Sequence, residues 1–249
     1  MTDAPGTQGQ LPDTSAPATS TRAFPHVVMF DLDGTLSDPL VGIGRSINYA
    51  LSSLGYEPLE LAQLAVYIGP PLDHTFRAIT GEQSPARAHA FVAKYRERYA
   101  EVGYSENVLY PGIREALADL TEAGILLGVC TSKPVDFAER ILEMFGLRSL
   151  FRFVSGGEMI GTEKWQQIES LLKQGSIDAS TVMVGDRSID LVAAHRNGLS
   201  AAGVLWGFGS RNELELERPR YLLSSPNELQ VLGGYPPSLP APTPNLPLT

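Results

Sequence analysis

Short apolar runs alternate with segments of helical periodicity along most of the chain. Five runs are almost continuously apolar, as is typical of strands covered on both faces: residues 27–30, 125–130, 151–154, 181–184 and 201–205. Apolar residues at helical spacing occur between these runs, over residues 113–120, 137–145 and 168–172. Repetition of strand followed by helix predicts an α/β fold with a doubly wound parallel sheet.

The interval from residue 40 to residue 110 breaks this alternation. It carries helical patterns and no convincing strand, and its first apolar stripe consists of Leu40, Ile43, Ile47, Ala50, Leu51 and Leu54. We therefore predict a helical domain at 40–110, inserted after the first strand of a core formed by residues 24–39 and 111–232.

Both ends of the chain differ from the rest in composition. Residues 1–23 are rich in Thr, Ser, Pro, Ala and Gly, and residues 233–249 are rich in Pro. Neither can bury enough apolar surface to offset the entropy lost on ordering, so both are predicted to be disordered tails. Residues Pro237 to Pro240 form a P-x-x-P that could bind an aromatic groove, but a solvated tail is the favoured interpretation.

Charge and cysteine content exclude several classes of partner. The formal net charge is −9, so binding to a nucleic-acid polymer is not expected. No apolar run approaches the roughly 18 residues of a membrane span, and the start of the chain lacks a secretory leader. The single cysteine, Cys130, cannot form an internal disulfide, which favours a reducing compartment. We expect a cytoplasmic protein that is a monomer or a dimer.

Acidic and hydroxyl side chains come directly after the predicted strands. The residues in question are Asp31, Asp33, Thr131, Ser132, Asp186 and Asp190. Ligands of open α/β sheets bind at the carboxyl ends of the strands, so these side chains should converge. Two unit charges about 4 Å apart repel by roughly 4 kcal/mol at an effective dielectric near 20, so such a cluster needs a cation. An oxygen-only ligand set without His or Cys indicates Mg²⁺ rather than zinc.

Four motifs in order identify a family resemblance. They are DLDGTLSD at 31–38, TSK at 131–133, a lysine at 164 and VGDRSID at 184–190. This arrangement resembles the haloacid dehalogenase (HAD) superfamily, and the resemblance covers about residues 26–232. It implies the same α/β core and a helical cap that closes over the site, which fits residues 40–110.

The resemblance also implies a role for each motif residue. Asp31 would be the nucleophile that takes a phosphoryl group, and Asp33 would be the general acid/base. Thr131, the amide of Ser132, and Gly34 would bind the phosphate, while Lys164 would be the cation beside the nucleophile. Asp31 and Asp186 would ligate Mg²⁺ together with the backbone carbonyl of Asp33, and Asp190 would support the metal's water shell.

An acid at position 33 narrows the reaction class. Dehalogenase members of the family lack an acid there and ATPase members carry Thr, so the sequence resembles a phosphatase or a phosphomutase. We expect a Mg²⁺-dependent phosphatase that acts on a small phosphorylated metabolite, phosphoglycolate or a nucleoside monophosphate, through an aspartyl-phosphate. A phosphomutase acting on a sugar phosphate and a phosphate-binding module of weak activity remain as alternatives.

Segments of the predicted cap are similar to one subgroup of the family. YIGPPLDHTF, YRERY, LYPGI and the later GFGSRNEL resemble phosphoglycolate phosphatase-like and 5′-nucleotidase-like members. Arg45, Gly69 and Pro70 are candidate substrate contacts from the cap. Arg45 could equally be a solvated surface residue, and the glycine and proline could form only a rigid turn.

Three further residues leave alternatives open. Lys133 of the TSK motif competes with Lys164 for the cationic role, although Lys164 is preferred because it begins a helix after the 151–154 strand. Asp38 is more typical of a turn or a helix cap than of the site. Cys130 is interpreted as a small buried residue, because a cysteine phosphatase needs Arg six residues later, where this chain has Asp136.

Overall fold

The computed structural model describes residues 24–157 and 163–234 of the chain. The predicted tail at 1–23 and all but the first two residues of the one at 233–249 lie outside the described residues. The P-x-x-P from Pro237 to Pro240 lies outside them as well.

The described residues form eight strands. They are β1 Val27–Phe30, β2 Ser37–Asp38, β3 Val108–Leu109, β4 Leu126–Pro134, β5 Phe151–Gly157, β6 Val182–Gly185, β7 Ser200–Val204 and β8 Tyr221–Leu223. Six of these build one sheet in the order β5-β4-β1-β6-β7-β8, and all of its pairings are parallel. The five predicted strands are therefore confirmed, and β8 is an addition at the edge.

Helices cover both faces of this sheet and fill the long interval after β2. They are α1 Leu40–Ser53, α2 Leu61–Leu64, α3 Leu72–Thr80, α4 Pro85–Glu101, α5 Ile113–Glu122, α6 Val135–Met144, α7 Lys164–Lys173, α8 Ser188–Arg196 and α9 Arg211–Leu216. Short 3₁₀ segments occur at Ala65–Tyr67, Gly103–Glu106, Arg148–Leu150 and Pro226–Gly233.

Alternate residues of β1 face two different hydrophobic layers. Val28 and Phe30 pack with residues of α5 and α6, whereas Val27 and Met29 pack with residues of α7 and α8. Successive strand residues point to opposite faces, so a strand covered on both sides must be apolar throughout. The α/β fold with a doubly wound parallel sheet is confirmed.

Helices α1 to α4, called here the helical insertion, have a hydrophobic cluster of their own. Its largest buried members, Phe76 and Phe91, have ring centroids 5.2 Å apart. This separate cluster supports the predicted division into a core and an inserted domain, which remains a proposal. None of the helices within the described residues is both long and apolar enough to span a membrane.

A two-stranded ribbon joins the insertion to the sheet, and here the sequence-based prediction was wrong. No strand was expected between residues 40 and 110, yet β3 pairs antiparallel with β2, with Ser37 opposite Leu109 and Asp38 opposite Val108. A pair this short leaves no alternating pattern, and Val108 is largely exposed.

Candidate active site

The candidate site lies at the carboxyl ends of β1, β4 and β6, where the order of strands reverses about β1. Asp31 directly follows β1, and its backbone N–H donates to the Val184 carbonyl at 2.9 Å, which continues the pairing with β6. Its Oδ1 accepts a hydrogen bond from the Leu32 N–H at 2.8 Å. The sheet and this turn therefore fix the Asp31 carboxylate at the rim of the core.

Three carboxylates converge at this rim. One oxygen each from Asp31, Asp186 and Asp190 lies within 4.8 Å of the others, and all three residues are buried. Burial raises the pKa of Asp186 to about 7, with repulsion from Asp190 and Asp31 adding to the effect. Burial also raises the pKa of Asp190 to about 6, against the opposing effect of Lys164. An oxygen-only cluster with this excess of negative charge fits a hard divalent cation.

Two loops hold the Asp186 carboxylate in place. The Thr35 hydroxyl donates to Oδ1 at 3.1 Å, and the Phe208 N–H donates to Oδ2 at 2.8 Å. Gly34 has φ +86°, and a Cβ atom at this position would lie 2.2 Å from Asp186 Oδ2. A Cβ atom at Gly207 would lie 2.4 Å from the Asp186 Cβ. Glycine is therefore required at both positions for the loops to approach the carboxylate.

Each of the two candidate lysines pairs with a different aspartate. Lys164, at the start of α7, lies with Nζ 3.1 Å from Asp31 Oδ2 and also pairs with Asp190. Lys133 Nζ lies 2.7 Å from Asp33 Oδ2. Burial opposes the charged form of both lysines, but the neighbouring carboxylates raise the pKa of each above its ordinary value. Lys164 thus occupies the position beside Asp31 that the resemblance implied.

Asp33 pairs with Lys133, the lysine that contacts the helical insertion. Burial raises the pKa of its carboxyl, and the adjacent Lys133 offsets part of this effect. Lys133 also donates to the Tyr99 hydroxyl of α4 at 2.6 Å. The Asp33 carboxyl therefore lies where the core meets the insertion, and the charged Lys133 contacts both Asp33 of the core and Tyr99 of the insertion.

The TSK segment continues β4 instead of forming the loop after it. Pro134 still pairs with Gly157, so Thr131, Ser132 and Lys133 belong to the end of the strand. The Thr131 hydroxyl accepts a hydrogen bond from the Lys133 N–H at 3.3 Å, and the Ser132 side chain is exposed. The preceding Cys130 is fully buried, as predicted, and burial raises the pKa of its thiol to about 12.

Candidate contacts from the insertion fall in two places. Arg45 is 56% exposed and pairs with Glu106 at 2.6 Å, so its guanidinium already has a carboxylate partner within the insertion. Gly69, with φ +104°, lies against Arg187, whose Nη1 donates to the Ile68 carbonyl at 2.8 Å. Gly69 is therefore held next to Arg187, in the middle of the VGDRSID motif.

Asp38 caps the start of the first helix, as predicted. Its Oδ1 accepts a hydrogen bond from the Leu40 N–H at 2.9 Å, at the beginning of α1. This bond satisfies an N–H group that the helix itself leaves unpaired. Asp38 is therefore explained by the turn into the insertion.

Several residues at the site were not found from the sequence. Phe208 holds Asp186 through its amide, and the two glycines around it, shortly after β7, were the available signal. Tyr99 was noted only as the last residue of the YRERY segment, and no role was assigned to it. Asn107 carries no local signal, because its burial beside Asp33 depends on how the insertion returns to the core.

Comparison with known proteins agrees with this geometry. A family model for haloacid dehalogenase-like hydrolases matches residues 28–204. A 5′-nucleotidase from Pseudomonas aeruginosa is 42% identical over 201 residues, which cover 80% of this chain and 90% of that protein. A phosphoglycolate phosphatase from Vibrio parahaemolyticus is 30% identical over 213 residues, which cover 82% of this chain and 93% of that protein.

A solved structure extends the similarity to the fold. The crystal structure of a predicted phosphatase from Clostridium acetobutylicum matches with a TM-score of 0.77 and 33% identity, covering 84% of this chain and 98% of that one. These matches confirm the resemblance that the four motifs indicated. The chain is a phosphatase and belongs to the haloacid dehalogenase-like hydrolase family.

Proposed function

We propose that the protein is a Mg²⁺-dependent phosphatase that hydrolyses small phosphomonoesters through an aspartyl-phosphate on Asp31. The observation that supports it most is that Asp31 pairs with Lys164 and lies in one cluster with Asp186 and Asp190. A phosphate dianion repels a carboxylate nucleophile, so attack requires positive charge next to both. Lys164 supplies one such charge from the chain itself.

In the proposed first half-reaction, an Asp31 carboxylate oxygen attacks phosphorus and the bond to the leaving oxygen breaks. Asp33 donates its proton to that oxygen, and its raised pKa favours the protonated form that this step needs. In the second half-reaction, Asp33 takes a proton from water as the water oxygen attacks phosphorus. The bond to Asp31 then breaks, which releases inorganic phosphate and restores both carboxyl groups.

Other motif residues would bind the phosphate oxygens. The Thr131 hydroxyl, the Ser132 amide and the backbone at Gly34 are the proposed donors, beside the Lys164 ammonium. Asp31, Asp186 and the Asp33 carbonyl would hold Mg²⁺, and Asp190 would support its water shell. The bound ion would supply positive charge that neutralises the phosphate. The oxygen-only donor set and the raised pKa values of Asp186 and Asp190 support this assignment.

Residues 40–110, which contain the helical insertion, are proposed to form a cap over the site. Two contacts join it to the core beside the site, from Lys133 to Tyr99 and from Arg187 to the Ile68 carbonyl. A closed cap excludes water from the reacting groups and brings specificity contacts onto the leaving group. Gly69 and Arg45 are proposed contacts of this kind, although Arg45 would have to exchange Glu106 for the substrate.

Two substrate classes are proposed because two similar proteins are named after the substrates that they hydrolyse. Nucleoside 5′-monophosphates follow from the 5′-nucleotidase and phosphoglycolate from the phosphoglycolate phosphatase. Release of inorganic phosphate from adenosine 5′-monophosphate and from phosphoglycolate, compared by kcat/KM with Mg²⁺ and with EDTA, ranks the two. A phosphomutase would instead move the phosphoryl group to a sugar, and a phosphate-binding module would release none.

The aspartyl-phosphate can be tested with a leaving group that needs no proton. p-Nitrophenolate leaves unassisted, so Asp33→Asn should keep the first half-reaction with p-nitrophenyl phosphate and lose the base of the second. Rapid mixing should show a burst of one p-nitrophenolate per site, followed by turnover reduced by about 10²- to 10⁴-fold. Asp31→Asn should show neither burst nor turnover.

The matched control is Asp136→Asn, because Asp136 is exposed in the first turn of α6 and belongs to no part of the site. It should retain the wild-type rate. Steady turnover by Asp31→Asn, or full wild-type activity in EDTA, would remove the proposed mechanism.

A further inference from the structure

Four buried side-chain atoms of the described residues have no hydrogen-bond partner, and one of them belongs to the Asp33 carboxyl group. They are Asp33 Oδ1, Ser37 Oγ, and Nδ2 and Oδ1 of Asn107. Ser37 forms a β-bridge with Asp33. The Asn107 amide lies close enough to lower the pKa of Asp33, although no atom pair between the two has hydrogen-bond geometry.

Asn107 is the most unusual of these residues, because both its donor and its acceptor are unpaired. The residue is 6% exposed. Burial of an amide without partners is unfavourable, and native proteins retain few such groups. A group of this kind beside the proposed general acid is therefore explained most simply by a ligand that completes its hydrogen bonds.

The backbone on either side of Asn107 is fixed. Glu106 before it pairs with Arg98 at 2.9 Å, and Val108 after it pairs with Asp38 in the β2–β3 ribbon. The amide is thus held in place before any ligand binds, as a specificity contact requires.

The charges around the amide restrict the chemistry of its ligand. Lys133 is paired with Asp33, and Arg45 and Arg98 are both paired with Glu106. Each of these cations therefore already has a carboxylate partner. A hydroxyl group can accept from Nδ2 and donate to Oδ1, whereas a carboxylate would leave Oδ1 facing a negative charge.

We propose that Asn107 is a specificity-determining residue whose amide binds a hydroxyl group of the leaving group. This inference rests on the proposed function and deepens it: the preferred substrate is a sugar-like phosphomonoester such as a nucleoside 5′-monophosphate, and phosphoglycolate is disfavoured. The substrate enters while the contacts between the insertion and the core are released, because these contacts shield the amide. In a nucleoside 5′-monophosphate, the hydroxyl nearest the ester oxygen along the sugar is the 3′-hydroxyl.

The test compares two nucleotides that differ in this single group. In the wild type, kcat/KM for adenosine 5′-monophosphate should exceed that for 3′-deoxyadenosine 5′-monophosphate by about tenfold or more, because a site built to bind a hydroxyl rejects an analogue without it. In Asn107→Ala this ratio should fall to near one.

Two further variants separate recognition from folding. Asn48 of α1 is a matched asparagine, because its amide is fully paired with the backbone of Leu59, at 2.7 and 2.9 Å. Asn48→Ala should lower the melting temperature and leave the nucleotide ratio at its wild-type value. Asn107→Leu is nearly isosteric and removes two unpaired atoms, so its melting temperature should not fall while its ratio drops to near one.

Three outcomes would overturn the assignment of Asn107. They are a ratio that survives both Asn107 variants, failure of both variants to fold, and a higher kcat/KM for phosphoglycolate than for the two nucleotides. Failure of the proposed function is distinguishable, because the wild type would then release no p-nitrophenolate from p-nitrophenyl phosphate, which has no hydroxyl group beside its ester oxygen.

Discussion

At the scale of single residues, Lys164 shows how the site depends on paired charges. Its side chain is almost fully buried and lies between Asp31 and Asp190. Burial alone would favour a neutral amine, yet the two carboxylates raise its pKa above the ordinary value. The lysine and the acids therefore stabilise one another's charged forms, and removal of the lysine leaves two carboxylates without their cation.

Replacement of Lys164 by Met should therefore reduce both stability and activity. Loss of one partner of a buried ion pair typically costs about 3–5 kcal/mol in the free energy of unfolding. We expect a decrease of this size in EDTA by urea denaturation, together with a fall of roughly 10²-fold or more in kcat.

Lys173 at the other end of the same helix is the matched control. It is 70% exposed and pairs with Glu169 at 2.9 Å, so Lys173→Met should change stability by no more than about 0.5 kcal/mol. Equal effects of the two substitutions would contradict the role given to Lys164.

At the scale of elements, the sequence predicted those strands whose local apolar pattern matches their burial in the fold. Strands such as β1 are apolar on both faces, so their runs and the acids that follow them could be located. Strands β3 and β8 were missed because segments of two or three residues are too short to show an alternating pattern. Asn107 and Tyr99 could not be assigned, since their neighbours Asp33 and Lys133 lie far away in sequence and meet them only when the insertion packs on the core.

Arg187 illustrates such a contact between elements. It precedes α8 and reaches the Ile68 carbonyl of the insertion at 2.8 Å, and it pairs with Glu213 of α9 at 3.0 Å. The guanidinium thereby ties the loop around Gly69 to the core beside the acidic cluster. A contact made by one side chain to a backbone carbonyl can break without unfolding the core or the insertion.

Arg187→Met should loosen this loop and weaken substrate binding. We expect faster hydrogen exchange of the Ile68 and Gly69 amides, because their tie to the core is lost, and a fall in kcat/KM of about tenfold, as for other displaced positioning groups. Arg77→Met is the control, since the one partner of Arg77 within the described residues is Asp73 of its own helix, at 3.3 Å. Unchanged exchange of the Ile68 and Gly69 amides in Arg187→Met would refute the proposed contact.

At the scale of the whole molecule, the acidic cluster lowers the stability of the fold, although the proposed reaction depends on it. The two hydrophobic layers of the core and the cluster of the helical insertion stabilise the fold, whereas three buried carboxylates at the rim oppose it. Strained or repulsive groups of this kind are typical of active sites, where activity is retained at a cost in stability. Without a metal, the molecule should therefore become less stable as Asp186 and Asp190 ionise, because their pKa values are raised in the folded protein.

The sign of the pH dependence follows from Asp186. Its pKa is about 7 in the folded protein against 3.8 for the unperturbed group. Between these values the unfolded chain releases a proton that the folded protein keeps, so metal-free stability should fall as pH rises from about 4 to about 7, by up to about 1.4 kcal/mol per pH unit.

Asp186→Asn isolates this contribution, because asparagine keeps the shape and can still accept from the Phe208 amide. In EDTA the variant should be more stable than the wild type near pH 8, by about 2–4 kcal/mol, and the difference should vanish near pH 4. Added Mg²⁺ should stabilise the wild type at pH 8, since it pairs with the ionised carboxylates, and should have a much smaller effect on the variant. Denaturation curves for both proteins at the two pH values measure all of these effects, with Asp136→Asn as the exposed control. An equal pH dependence of stability in wild type and Asp186→Asn would show that Asp186 does not carry the buried charge. Equal stabilisation of the two proteins by Mg²⁺ would show that the cluster does not bind the ion.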